Sequence, residues 1–197
     1  MNYTEIRKNF EKHGFITNLF AKKEEATEYL SNKLQGRAIG FGGSVTLKEL
    51  GLYEALQQNN VVIWHNKVAS LEIRQLASHA SIYITSANAV TESGEIVNID
   101  GTGNRVAMTS FHPETCYYII GKNKVTKNLE QAIDRSKNVA APLNAKRLGV
   151  KTPCAVNGDK CYHCNSPERI CRITTIIERP PLGMNCEVIF IDEELGY

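Results

Sequence analysis

No apolar run in this chain approaches the roughly 18 residues that a membrane-spanning helix needs, so a transmembrane segment is not expected. The first ten residues, Met1 to Phe10, lack an apolar h-region, and a signal peptide is not expected either. No stripe of Lys and Arg is present, and the net charge is only +2, which gives no pull toward nucleic acid. No internal repeat and no low-complexity tract interrupts the sequence. These absences leave a cytoplasmic globular protein. A hydrophobic fraction of 42% and a charged fraction of 22% are ordinary for that class. Its 197 residues are most simply one α/β domain, 1–197, with N-terminal helices over 1–35 and a cysteine-rich segment over 152–172.

Helical spacing puts Tyr3, Ile6, Phe10 and His13 on one face of a first helix. Ala26, Tyr29, Leu30 and Leu34 share a face of a second, which Gly36 ends. Short apolar strands then alternate with helical stretches. The strands are Arg37–Phe41, Val61–Trp64, Ser81–Thr85 and Cys116–Gly121; the helical stretches are Val45–Leu50, Leu52–Gln57, Ser70–Ser78 and Leu129–Val139. That alternation predicts a largely parallel sheet. Between them, Glu92-Ser-Gly-Glu and the strand-like Glu95–Ile99 read as a β-hairpin. Late strands fall at Ile173–Glu178 and Val188–Ile191, parted by Pro180-Pro181.

Four constellations could carry chemistry. In the first, a strand runs into Gly42-Gly43-Ser44-Val45-Thr46 and then a helix. Free backbone N–H groups there would hold an anion, helped by the two hydroxyls; the plainer alternative is a tight turn with Ser44 as N-cap. No Gly-Lys-Ser/Thr follows, so this is not a Walker loop. The second is Thr85-Ser-Ala-Asn88 with Thr91-Glu92, small polar residues where open α/β sheets place ligands. Glu92 is either a general base or a solvated turn carboxylate. The third is Asp100-Gly-Thr102-Gly-Asn104-Arg105. Its Asp100 could accept hydroxyl protons and its Arg105 clamp an anion, or the two could simply pair. His65, after the Val61–Trp64 strand, could face the same crevice.

The fourth is a cysteine cluster holding four of the six cysteines: Cys154, Cys161, Cys164 and Cys171, with gaps of six, two and six residues. Thiolates suit zinc or an iron–sulfur cluster, and His163 is a possible substitute ligand. Gly158, Asp159, Asn165 and Pro167 make the segment loop-like, a stretch that a metal would order. Reduced, partly buried thiols are the alternative. Cys116 and Cys186 sit in strand contexts and read as core.

Several of these motifs, in order, resemble one family. Gly42-Gly-Ser-Val-Thr-Leu-Lys-Glu-Leu-Gly51, Ser86-Ala-Asn-Ala-Val-Thr-Glu92, Asp100-Gly-Thr-Gly-Asn-Arg105 and Asn138-Val-Ala-Ala-Pro-Leu-Asn144 look like the LUD domain of lactate utilisation proteins. Thr152-Pro-Cys154, Asn165-Ser-Pro-Glu-Arg-Ile-Cys171 and Glu178-Arg-Pro-Pro181 are similar to its cysteine-bearing branch. The resemblance implies a three-layer α/β domain with a mostly parallel sheet, similar to the ribose-5-phosphate isomerase, glucosamine-phosphate deaminase and CoA-transferase group.

It also implies an accessory or redox subunit of lactate or related hydroxy-acid oxidation, working with other lactate-utilisation subunits. Such a subunit would bind a small anionic ligand through Gly42, Gly43, Ser44, Val45, Thr46, Asn88, Thr102, Asn104 and Arg105, with Glu92 and Asp100 for chemistry. The alternatives are a stand-alone enzyme on a sugar phosphate or CoA-like ligand using Glu92, and a ligand-binding module with a structural zinc. The chain carries none of the ferredoxin-type repeats of longer family members.

Overall fold

Parallel strands buried on both faces organise the molecule. A computed structural model describes residues 1–68 and 70–197. Its main sheet contains β1 (Ile16–Phe20), β2 (Ala38–Phe41), β3 (Val61–Trp64), β4 (Ile82–Thr85), β7 (Thr115–Gly121) and β10 (Asn185–Ile191). All pairings are parallel, in the order β1-β10-β7-β4-β2-β3.

Strand β7 shows why the sheet must be covered twice. Its side chains alternate, sending Tyr117 and Ile119 to one face and Cys116, Tyr118 and Ile120 to the other. On the first face Tyr117 and Ile119 join Ile39, Phe41, Ile84 and Ile189. There they meet Ala26 and Leu30 of α2 (Lys23–Lys33), Leu47 of α3 (Val45–Glu49), and Leu52 and Leu56 of α4 (Leu52–Leu56). On the second face Cys116, Tyr118, Ile120 and Phe190 meet Ile6 and Phe10 of α1 (Tyr3–Lys12). Val90, Ile96 and Ile177 of a second, smaller sheet complete that layer.

The small sheet runs β8 (Val125–Thr126), β5 (Ala89–Thr91), β6 (Ile96–Asp100), β9 (Ile173–Ile177). Strands β5 and β6 are the expected hairpin, antiparallel, and β9 pairs antiparallel with β6. Helix α7 (Leu129–Arg135) packs on its far side, where Ala89, Val97 and Ala132 meet. A π-helical stretch, Ser136–Ala140, carries α7 directly into α8 (Ala141–Leu148). The mostly parallel α/β architecture expected from the sequence is the one observed. The reading of 1–35 as helices alone is corrected: β1 lies between α1 and α2 and pairs with β10 at the sheet edge.

The topology places a crevice. The chain goes from β2 outward to β3, then returns to lay β4 on the other side of β2. The connections leaving β2 and β4 therefore diverge at their carboxyl ends, and open α/β sheets take ligands at such a divergence.

Candidate functional site

Three connections meet at that crevice: the turn after β2, His65 to Lys67 after β3, and Ser86 to Asn88 after β4. Together with the Asp100–Arg105 turn they wall a cavity of about 540 Å³.

The turn after β2 is shaped by close approach. A Cβ on Gly42 would stand 2.6 Å from Oγ1 of Thr85 and 3.1 Å from Cγ of Arg105, so only glycine fits there. The Gly42 amide donates to the Ile84 carbonyl (2.9 Å). Its own carbonyl accepts from Nε1 of Trp64 (3.0 Å). Gly42 is thus pinned beneath the cavity rather than lining it. Gly43, Ser44, Val45 and Thr46 do line it. Ser44 caps α3, its hydroxyl accepting from the Leu47 amide (3.2 Å). The amides of Gly43 and Ser44 make no hydrogen bond among the described residues.

Asp100 ends β6 and organises the second turn. Oδ1 accepts from the amides of Thr102 and Gly103, both at 3.1 Å; Oδ2 accepts from the amide of Arg105 (3.2 Å) and pairs with its Nε (3.3 Å). Both carboxylate oxygens are therefore spent on shaping the turn and holding Arg105. The pairing foreseen as the alternative for these two residues is what the structure shows. Helix α6 (Asn104–Ser110) starts here, entered through Gly103 at φ +93°, where the sequence suggested only a turn. Thr102, Asn104 and Arg105 line the cavity, as does Asn88. Asn88 Oδ1 accepts from the Ile99 amide (2.7 Å), which holds that loop against β6.

Glu92 is not in this assembly. It is exposed at the outer turn of the β5–β6 hairpin, while β6 carries Asp100 away from it to the cavity. Its backbone faces α1 instead: Asn9 Nδ2 donates to the Glu92 carbonyl at 2.9 Å. The expected closeness of Glu92 to Asp100 and to the Gly42–Thr46 turn is corrected on that ground.

Sequence reasoning missed most of the cations. Lys48, Lys67, Arg74, Arg105, Lys124 and Arg147 all line the cavity, and among the described residues Asp100 is the only acidic side chain that does; Lys67 also pairs with Glu54 outside the lining. Nε of Arg74 and Nδ1 of His65 are buried without a hydrogen-bond partner among the described residues. Burial, then the nearby Arg74 and Arg105 guanidiniums, hold the His65 imidazole below its ordinary range, with Asp100 opposing. Lys124 is the most enclosed of these basic side chains, 4% exposed, with Nζ 2.7 Å from Thr46 Oγ1 and 2.8 Å from Ser86 Oγ. An isolated lysine near the end of a strand normally reads as surface, and no pattern in the sequence marks this one.

The cysteine loop adjoins the cavity across Ile99 and Ala141, which face both. Cys154, on α9 (Pro153–Asn157), lines a second cavity of about 40 Å³ together with Cys161, Cys171 and His163. Cys164 is half-buried nearby but does not line it. Arg169 occupies the middle of the loop: Nε donates to Cys171 Sγ (3.1 Å) and Nη1 to the Cys164 carbonyl (3.0 Å). A cation already stands among the sulfurs. Among the described residues no group of three or more His, Cys, Asp or Glu takes a metal-holding arrangement. As placed, Arg169 meets the Cys171 sulfur where a metal ion would have to stand.

Comparison with known proteins agrees with the fold. The crystal structure of a DUF162 family protein from Deinococcus radiodurans superposes with a TM-score of 0.57, covering 96% of this chain and 95% of that one at 12% identity. Ribose 5 phosphate isomerase A from Neisseria gonorrhoeae matches 54% of each chain at 20% identity and a TM-score of 0.37, too slight a likeness to argue from. The uncharacterised protein YkgG of Escherichia coli (strain K12) is 28% identical over 139 residues, 70% of this chain. The matched part spans 57% of that relative's length. No helix among the described residues is long and apolar enough to cross a membrane. The LUD domain matches residues 3–191, nearly the whole chain, and the protein therefore belongs to the LUD domain family, which is associated with lactate utilisation.

Proposed function

We propose that this chain is a ligand-binding component of lactate utilisation whose cavity takes a small anionic metabolite, a 2-hydroxy or 2-oxo acid. One observation carries the reading: six basic side chains line the cavity with one acidic side chain among the described residues, and with Lys67 paired to Glu54 and Arg105 to Asp100, Lys48, Arg74 and Arg147 are left there without a carboxylate partner among the described residues. Positive charge gathered in a crevice is costly unless an anion enters, and it draws anions in. Arg74 Nε and the amides of Gly43 and Ser44, without partners among the described residues, supply directed donors for a carboxylate. Thr46, Asn88, Thr102 and Asn104 supply polar contacts around it. Oxidising a hydroxy acid releases two electrons, and we assign their acceptor to another lactate-utilisation subunit.

A sugar phosphate or CoA-like ligand is the second reading, and the size of the cavity favours it. A three-carbon acid fills only part of about 540 Å³.

Titration calorimetry separates these. L-lactate, pyruvate, ribose 5-phosphate and CoA are compared with the neutral amide of lactic acid. The reading expects the acids to bind, the amide not to bind, and affinity to fall as salt rises. Equal binding of acid and amide, or no binding by any anion, refutes it.

A further inference from the structure

Lys124 ends the 3₁₀ turn Lys122–Lys124 that follows β7, and its side chain reaches the cavity from below. Its two hydrogen-bond partners are themselves committed. Thr46 Oγ1 donates to the Leu195 carbonyl (3.2 Å), and Ser86 Oγ donates to the Ile119 carbonyl (2.6 Å). Each hydroxyl has one hydrogen, so each oxygen can meet Nζ only as an acceptor. Two N–H groups are consumed in this way. A neutral amine has two N–H groups and a lone pair, so the lone pair is left over. An ammonium would have a third N–H, and among the described residues no third acceptor and no carboxylate pairs with Nζ.

The surroundings favour the neutral form. Burial lowers the affinity of Lys124 for its proton most, followed by Arg135 and Arg105; Glu49 opposes weakly, and the balance brings the amine to about 7. Near neutral pH its unprotonated fraction is on the order of a thousandfold that of an ordinary lysine.

We propose that Lys124 is a reactive amine that takes the carbonyl group of a 2-oxo acid in this cavity as an imine. The proposal rests on the anion-binding reading and narrows it to acids that carry a carbonyl beside the carboxylate. The lone pair of Nζ attacks the carbonyl carbon and a C–N bond forms. The carbonyl oxygen leaves as water with the two hydrogens of the amine. No electrons are exchanged, so neither oxidant nor reductant is needed. Unpartnered cationic groups such as Arg74 hold the carboxylate while Thr46 and Ser86 orient the amine.

Borohydride trapping on the intact chain tests this. The protein is mixed with pyruvate, reduced, digested and mapped by mass spectrometry. The expected result is a single reduced adduct on the peptide bearing Lys124, formed near neutral pH and absent from Lys124→Met. A labelled surface lysine would instead require alkaline pH. No adduct, or adducts spread over many lysines, overturns the proposal. Calorimetry with pyruvate, without borohydride, then tells which inference failed. Binding without an adduct removes the imine and leaves the anion site, whereas absence of binding removes both. Trapping on the native chain does not depend on the variant folding.

Discussion

Nζ of Lys124 lies 2.7 Å from Oγ1 of Thr46, which joins the segment after β7 to the helix that follows the Gly42–Gly43 turn. The contact closes the base of the cavity with a buried amine that no carboxylate pairs with among the described residues. Its energetic consequence is a pH dependence of definite sign. The unfolded chain keeps this proton up to the ordinary 10.5, whereas the folded chain releases it at about 7. Between those values the unfolded state binds more protons, so this group makes folding more favourable as pH rises. Its destabilising effect is full below about pH 7 and vanishes above 10.5. Relative to Lys124→Met, the wild type should gain on the order of a few kcal/mol between about pH 6 and pH 10. Chemical denaturation of both proteins across that range measures it. A pH-independent difference would mean that Lys124 titrates normally.

Arg74 should matter for binding and little for folding. Its Nε has no partner among the described residues and the side chain lines the cavity. Arg74→Ala should weaken carboxylate binding by about tenfold or more, the scale of one charge-assisted hydrogen bond. The thermal midpoint should stay nearly constant. Glu92→Gln is the control: exposed and outside the cavity, it should change neither quantity. Loss of binding in Glu92→Gln would return that carboxylate to the site.

Gly42→Ala should be costly in a way that a loop glycine is not. The new methyl meets Oγ1 of Thr85 at 2.6 Å, and Thr85 is fully buried in the sheet. Overpacking of this kind costs about 1–3 kcal/mol. Equilibrium denaturation reads the cost, and calorimetry reads the accompanying loss of anion binding as Arg105 is pushed aside.

The thiols should divide into two classes. Cys116 and Cys186 are buried in paired strands, and burial raises both thiols above their ordinary range. Cys154, Cys161, Cys164 and Cys171 are partly exposed. A disulfide reagent should modify those four quickly and the two strand cysteines only on unfolding. Zinc or an iron–sulfur cluster, if the loop takes one, would appear as protection of the fast class in anaerobically prepared protein. Metal analysis of the same sample identifies the group.

What could be read from the sequence followed from local chemistry. Runs such as Cys116–Gly121 announce a strand buried on both faces, because no polar residue interrupts them. The Gly42–Thr46 and Asp100–Arg105 turns announce themselves by glycine and small polar residues. Strand β1 stayed hidden because it is an edge: Ile16 and Leu19 are exposed, Thr17 is buried, and the partner strand lies at the far end of the chain. Lys124 and Arg74 stayed hidden because their positions in the cavity depend on tertiary packing. Glu92 is near Asp100 in sequence but not in space, because the extended strand β6 carries the chain from the hairpin turn to the cavity.

Anion binding where the connections after β2 and β4 diverge can be seen residue by residue. Amide chemical shifts during titration with pyruvate test it most directly. Saturable shifts are expected at Gly43, Ser44, Val45 and Arg105, with the hairpin turn around Glu92 unmoved. Shifts confined to surface lysine segments, or none at Gly43 and Ser44 under saturating pyruvate, would contradict it.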